Sequence, residues 1–251
     1  MYDDLLVTFG NGICEGLSQG LGDGESDVVF RRTFSALILA ECVTRDNVAR
    51  LLPVDVVVSW ADRALTWFVG ERDLRGFVPG KGWAHAPAHG GDLIGALARS
   101  RHLGATELTV LLDVIADRLL EPTTYRLTHG EDDRLAYATM AILHRNALGQ
   151  PLVEAWIGRL GATAQQTPPG DTGVVCEWPP AHVFNTRSFL RVLYLQLAMG
   201  VRGHDQADSA HFATQLDMRA DLLLILKDLL AGLFPFARRE DASPSGGSVS
   251  A

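Results

Sequence analysis

Between Gly80 and Asp92 the chain reads Gly-Lys-Gly-Trp-Ala-His-Ala-Pro-Ala-His-Gly-Gly-Asp, which sets two histidines four residues apart and a carboxylate three residues further on. At about 100° per residue, His85, His89 and Asp92 share one face of a helix. Pro87 fits only a first turn, where its missing N–H leaves no bond unmade. The spacing therefore predicts a helix start near Trp83. Both imidazoles then lie at the positive end of the helix dipole, which disfavours imidazolium and keeps neutral rings free to act as ligands or bases. Two histidines at i and i+4 can share a divalent metal such as zinc, and two His with one carboxylate also suit non-haem iron. The candidate metal ligands are His85, His89 and Asp92. A rise of about 10 Å separates His85 from Asp92, so His129, Glu131 or Asp132 would have to complete the sphere. The same histidines equally suit a structural role, satisfying buried backbone groups and bridging helix pairs.

Two further polar segments open later helices: His129-Gly130-Glu131-Asp132-Asp133 and Phe184-Asn185-Thr186-Arg187-Ser188. Glu131 facing His85 and His89 would give a carboxylate and two imidazoles for acid–base work. Carboxylates at a helix start are also ordinary dipole-favoured caps, and Asn185-Thr186 reads as an N-cap. Arg187 and Arg191 lie i, i+4 as an anion clamp or as solvated charges. Lys81 is one of only two lysines in the chain and sits in a glycine-rich turn. With Trp83 as a wall, the candidate binding residues are Lys81, Trp83, Asp132, Asn185 and Arg187. The Gly76-to-Gly82 turn is not a phosphate loop: its first two glycines are one residue too close and Gly82 stands where Ser or Thr is required. No HExxH or GxGxxG occurs.

These segments need elements to hold them, and the apolar period supplies helices. Residues repeat at three- and four-residue spacing through most of the chain. The expected helices run from Ser26–Asp27 to Arg45, Val54 to Val69, Trp83 to Arg101, Ala105 to Leu120, Gly130 to Leu148, Pro151 to Gln165, Thr186 to Met199 and Leu216 to Leu233. Paired, they begin near residues 26, 83, 130 and 186. A recurrence of roughly 50 residues is close to the helix-pair unit of HEAT and armadillo repeats. The expected fold is all-α: a HEAT/armadillo-like α-solenoid of stacked helix pairs, one domain over 1–236 with a disordered Ser/Gly-rich tail over 237–251. Stacking would bring the three polar segments to one ridge, forming a contiguous cleft. Leu37, Leu65, Leu97, Leu112, Ile142, Trp156, Leu190 and Leu223 are the expected core.

Composition narrows the function classes. The 251 residues are 47% hydrophobic and 21% charged, enough for a core without metal or disulfide. Cys14, Cys42 and Cys176 are odd in number and lack CxxC spacing, which suits a reducing cytoplasm. The acidic start and the short apolar stretch 222–236, broken by Lys227 and Asp228, give no export signal and no membrane span. A net charge of −8 without a basic run argues against nucleic acid. Scarce lysine among abundant Ala, Gly, Leu and Arg fits a GC-rich bacterial genome.

Across residues 30 to 200, the Gly82-Trp83-Ala84-His85…His89-Gly90…Asp92 motif, with His129-Gly130-Glu131-Asp132 and Asn185-Thr186-Arg187-Ser188-Phe189-Leu190, resembles an uncharacterised bacterial family, domain-of-unknown-function family 2785. Pro87 departs from that pattern, where a small aliphatic residue is expected. The resemblance implies an all-helical fold and no particular activity. The expected function is binding of a small molecule or peptide in the polar cleft. The alternative is a metal-assisted hydrolase or lyase using His85 and His89.

Overall fold

The computed structural model describes residues 2–168 and 178–234; Cys176 and the tail over 237–251 lie outside them. Ten helices are present among the described residues: α1 Tyr2–Leu17, α2 Val28–Ala49, α3 Val54–Gly70, α4 Ala86–Ala98, α5 Ala105–Leu120, α6 Glu131–Leu143, α7 Gln150–Ala164, α8 Ala181–Met199, α9 Gln206–Ala213 and α10 Arg219–Leu233. A two-residue hairpin, β1 Phe77–Val78 against β2 Gly82–Trp83, is the only sheet among them. None of the described helices is long and apolar enough to cross a membrane.

Two rows of helices make the core. One row runs α2, α4, α6, α8, each packed on the next; the other runs α3, α5, α7, α10 behind it, and α1 covers α2 and α3 at one end. Neighbours in the first row run the same way. Thr33 of α2 meets His89 of α4 and Asn47 meets Ala96; Gly91 and Gly95 of α4 lie against Arg134 and Ala138 of α6; Asp132 and Asp133 of α6 reach Ser188 and Gln196 of α8. Central α4 is buried at every residue except Asp92, which explains its Ala- and Gly-rich sequence: without side-chain bulk, α2 and α6 approach closely on either flank.

The turns are tied by arginine. Arg101, between α4 and α5, donates to the Asp46 and Leu52 carbonyls and pairs with the Asp46 carboxylate. Arg145, one helix pair later, donates to Ala98, Ser100 and Leu103 carbonyls. Arg118 likewise caps the end of α3 through the Phe68 and Val69 carbonyls. Each guanidinium gathers carbonyls at a helix end or in the turn that follows it, where few backbone donors are available. The sequence carries a trace of this device in Arg101-His102-Leu103-Gly104 and Arg145-Asn146-Ala147-Leu148-Gly149, where both glycines are N-caps.

Leu97, Leu112, Ile142, Trp156 and Leu190 are buried as expected. Leu65 and Leu223 are half-buried at the core edge, and Leu37 faces a cavity described below. Three helix starts differ from the sequence reading. Helix α4 begins at Ala86 because 77–83 pair as a hairpin and the Ala84 and His85 amides are taken by the Gly76 and Arg75 carbonyls. Helix α8 begins at Ala181, a turn before Asn185. Helix α10 begins at Arg219, three residues after Leu216.

Candidate functional site

His85 is therefore not on the helix but its N-cap, held in the left-handed region at φ 56°. That conformation is uncommon for a residue with a Cβ. It turns the ring away from the axis of α4, so His85 and His89 do not form an i, i+4 pair on one helical face. The His85 ring stacks on Trp83 at 4.7 Å between centroids. Its Nε2 lies 3.2 Å from the His129 carbonyl and 3.4 Å from Glu131 Oε1. A carbonyl can only accept, so Nε2 carries the proton. Glu131, first residue of α6, is buried and also accepts from the His129 amide at 2.7 Å. Burial alone would push its carboxyl up. The hydrogen bonds from His85 and from the His129 and Glu131 amides outweigh it and hold the pKa below the ordinary value.

His89 sits on the first full turn of α4. Its Nδ1 donates to the Thr33 carbonyl at 3.2 Å, its ring meets Phe34 edge-on at 5.5 Å, and the His85 ring lies 5.8 Å away. Burial lowers its pKa, so the ring is neutral near pH 7. Asp92, one turn on, pairs with Arg134 of α6. The three candidate metal ligands thus point at three different partners: His85 at Glu131, His89 at Thr33, Asp92 at Arg134. Among the described residues, no group of three or more His, Cys, Asp or Glu side chains could hold a metal ion.

The candidate binding residues divide in the same way. Trp83, His85, His89 and Glu131 do come together, joined by His129, whose ring lies edge-on to Trp83 at 5.4 Å. Lys81 is instead paired with Asp27 at the start of α2, 2.6 Å from Oδ1. Asp132 accepts from Ser188 at 2.5 Å. Asn185, buried inside α8, is not an N-cap: it accepts from the Leu127 amide and donates to the Tyr125 carbonyl, fixing the loop before α6. Arg187 turns back to the Ala164 and Gln166 carbonyls at the end of α7. The single cleft expected from helix starts is not formed, because Lys81, Asn185 and Arg187 are spent on local loop and helix ends.

An opening lies further along α4. A cavity of about 310 Å³ is floored by Asp92, Gly95 and Arg99 of α4 and walled by Leu37, Ala40, Glu41 and Thr44 of α2 and by Arg134 and Tyr137 of α6. His204, Asp205 and Asp208, from the α8–α9 connection and α9, close its far end. By helical register His89 lies one turn before Asp92 on the same face, about 15 Å along the axis from Arg99. The histidine cluster lies outside the lining of the cavity, further toward the start of α4. Inside the cavity Arg99 pairs with Asp208 at 2.9 Å, both nearly buried. Tyr137 donates to the Arg202 carbonyl and packs on His204 and Phe212. Burial pushes its phenol up to about 12, so it stays a neutral donor. The sequence reading did not single out Arg99, Arg134, Tyr137, His204 or Asp208. The available signal was the 85–89–92–96–99 stripe, which runs past the histidine motif to Arg99.

Fold and site together define an all-helical protein with a polar cavity beside the second half of its central helix. The chain belongs to the family described as "Protein of unknown function (DUF2785)", matched over residues 17–195. That span takes in the cavity lining from Leu37 to Tyr137 and stops before His204. A search of curated proteins and a search of solved structures each returned no match.

The buried imidazole makes stability depend on pH. The folded state holds the His89 pKa below its ordinary 6.5, so below that value the unfolded chain binds a proton that the native chain does not. Stability falls as pH drops through this window. His144 and His211, also lowered by burial, act in the same direction. Below about 4.5 Glu131 adds to the loss, because its depressed carboxyl contributes stability only while ionised. Melting temperature should fall steadily from about pH 7 to about pH 5, with a shallower slope in His89→Asn. An identical slope in the variant would mean that His89 does not titrate as the geometry requires.

Proposed function

We propose that this protein is a non-catalytic binding protein: a HEAT-like stack of helix pairs that holds a small molecule or short peptide in the groove over α4. The observation that carries this reading is the cavity of about 310 Å³, because α2, α4, α6 and the α8–α9 connection each contribute polar groups to it. A volume of that order suits a small ligand, and convergent polar groups on rigid helices supply orientation. Stacked helix pairs offer such a surface wherever successive first helices lie side by side and run the same way. His85, His89 and Glu131 are read as lying outside this site, since each already holds a neighbour.

The test is a thermal-shift screen of the full chain against amines, carboxylic acids, sugars and nucleosides, repeated on Leu37→Ala and Tyr137→Ala. Compounds that stabilise the parent should lose most of their effect on both variants, while far-ultraviolet circular dichroism of the unliganded variants stays unchanged. Compounds that stabilise parent and variants equally would place binding outside the groove.

A further inference from the structure

The charges around the cavity are unbalanced. Four carboxylates line it (Glu41, Asp92, Asp205 and Asp208) against two guanidiniums, Arg99 and Arg134. Both cations are already matched, Arg134 by Asp92 and Arg99 by Asp208. Among the described residues Glu41 and Asp205, both exposed at the rim of the opening, have no cationic partner; one comes from α2 and one from the start of α9. Two aromatic rings lie beside them: Tyr137 and His204 pack at 5.2 Å between centroids and both line the same space. The α2 wall differs in character. Phe34 and Ile38 are exposed there, and Leu37 faces the cavity.

Resting on the reading of the groove as a small-ligand site, we infer that its ligand is a cationic amine carried on a short hydrocarbon body. The ammonium supplies three donors to acceptors that have no cation of their own, and its charge is attracted to the faces of the neighbouring rings. The hydrocarbon lies along the Leu37 wall toward Phe34, where burial of apolar surface adds to binding. An anion would meet two uncompensated carboxylates, since the two guanidiniums are engaged. Charge complementarity therefore selects the head group, and the wall selects the body.

Three probes share one body and differ only in the head: n-hexylammonium, 1-hexanol and hexanoate. Isothermal titration of the full chain at low ionic strength should show hexylammonium binding about tenfold or more tighter than hexanol, a difference of about 1.4 kcal/mol. Hexanoate should bind weakest. Added salt should narrow the gap. Glu41→Gln with Asp205→Asn should weaken hexylammonium by a similar factor and leave hexanol unchanged; Asn can still cap α9, where Asp205 accepts from the Asp208 amide. Hexanol equal to hexylammonium, or hexanoate tightest, with binding lost in Tyr137→Ala, would overturn the amine inference and leave the groove reading standing. Binding that Tyr137→Ala does not affect would overturn both. No binding of hexylammonium at millimolar concentration would overturn the inference alone, because the groove reading has its own screen.

Discussion

Glu71→Ala should lower stability by about 3–5 kcal/mol, enough to move the melting temperature by about 10 °C in a chain of this length. Glu71 follows the last residue of α3 and is buried, as is Arg32 of α2. The guanidinium meets the carboxylate in a two-point bond, Nε to Oε2 at 2.6 Å and Nη2 to Oε1 at 2.8 Å. The same carboxylate accepts from the Trp67 indole at 3.0 Å and from the Arg72 and Asp73 amides. Truncating it leaves a buried guanidinium with only the Gln19 and Gly20 carbonyls, and strands three further donors. The cost is mainly that of the charge left behind, not the worth of the pair. Arg32→Met should be milder, because Glu71 keeps its indole and amide donors. Urea unfolding of both variants gives the order, and a larger loss for Arg32→Met would contradict this account.

That pair also shows what the sequence did and did not disclose. Apolar periodicity located eight of the ten helices among the described residues, because helices whose buried face is aliphatic announce themselves. Arg32 lies on the same stripe as Val29, Ala36, Leu39 and Val43, all buried, so the signal for a buried ion was present as a charge in an apolar register. Its partner, 39 residues away, was not visible. Helix α1 escaped because Gly10, Gly12 and Gly16 depress its helix propensity. Two of those glycines are demanded by packing: a Cβ on Gly10 would fall 2.1 Å from the Trp60 ring, and one on Gly16 would fall 2.1 Å from Ser35 Oγ. Helix α9 escaped because its eight residues, half of them polar, carry no apolar stripe. At the site, residue types drew attention to His85, His89 and Glu131, which do meet. Arg187 and Asn185 looked the same in sequence, yet backbone carbonyls and amides at nearby loop and helix ends claimed them. The groove itself depends on three helices and a distant connection, a juxtaposition that no local pattern encodes.

Three glycines on α4 give a graded prediction. Gly90 faces the Phe68 ring of α3: a Cβ there would lie 2.2 Å from Cδ2 and 2.3 Å from Cε2. Phe68 is buried against Trp67 and under the Arg118 guanidinium, which sits 5.7 Å from the ring centroid. The ring has nowhere to move without disturbing the tie between α3 and α5, so Gly90→Ala should cost about 3 kcal/mol, the upper end of ordinary overpacking. Gly91 faces backbone, with the Arg134 carbonyl carbon 3.0 Å from the added Cβ. Here α6 must shift by a few tenths of an ångström, for a smaller loss of about 1 kcal/mol. Gly95 has only ordinary contacts, the nearest Ala138 Cα at 3.6 Å. Gly95→Ala should therefore gain about 0.4–1 kcal/mol from the reduced freedom of the unfolded chain. Shrinking the obstacle should rescue the first variant: Gly90→Ala with Phe68→Leu should be more stable than Gly90→Ala alone, although Phe68→Leu by itself destabilises. If the double variant is no better than the sum of its parts, the clash with Phe68 is not what makes Gly90 necessary.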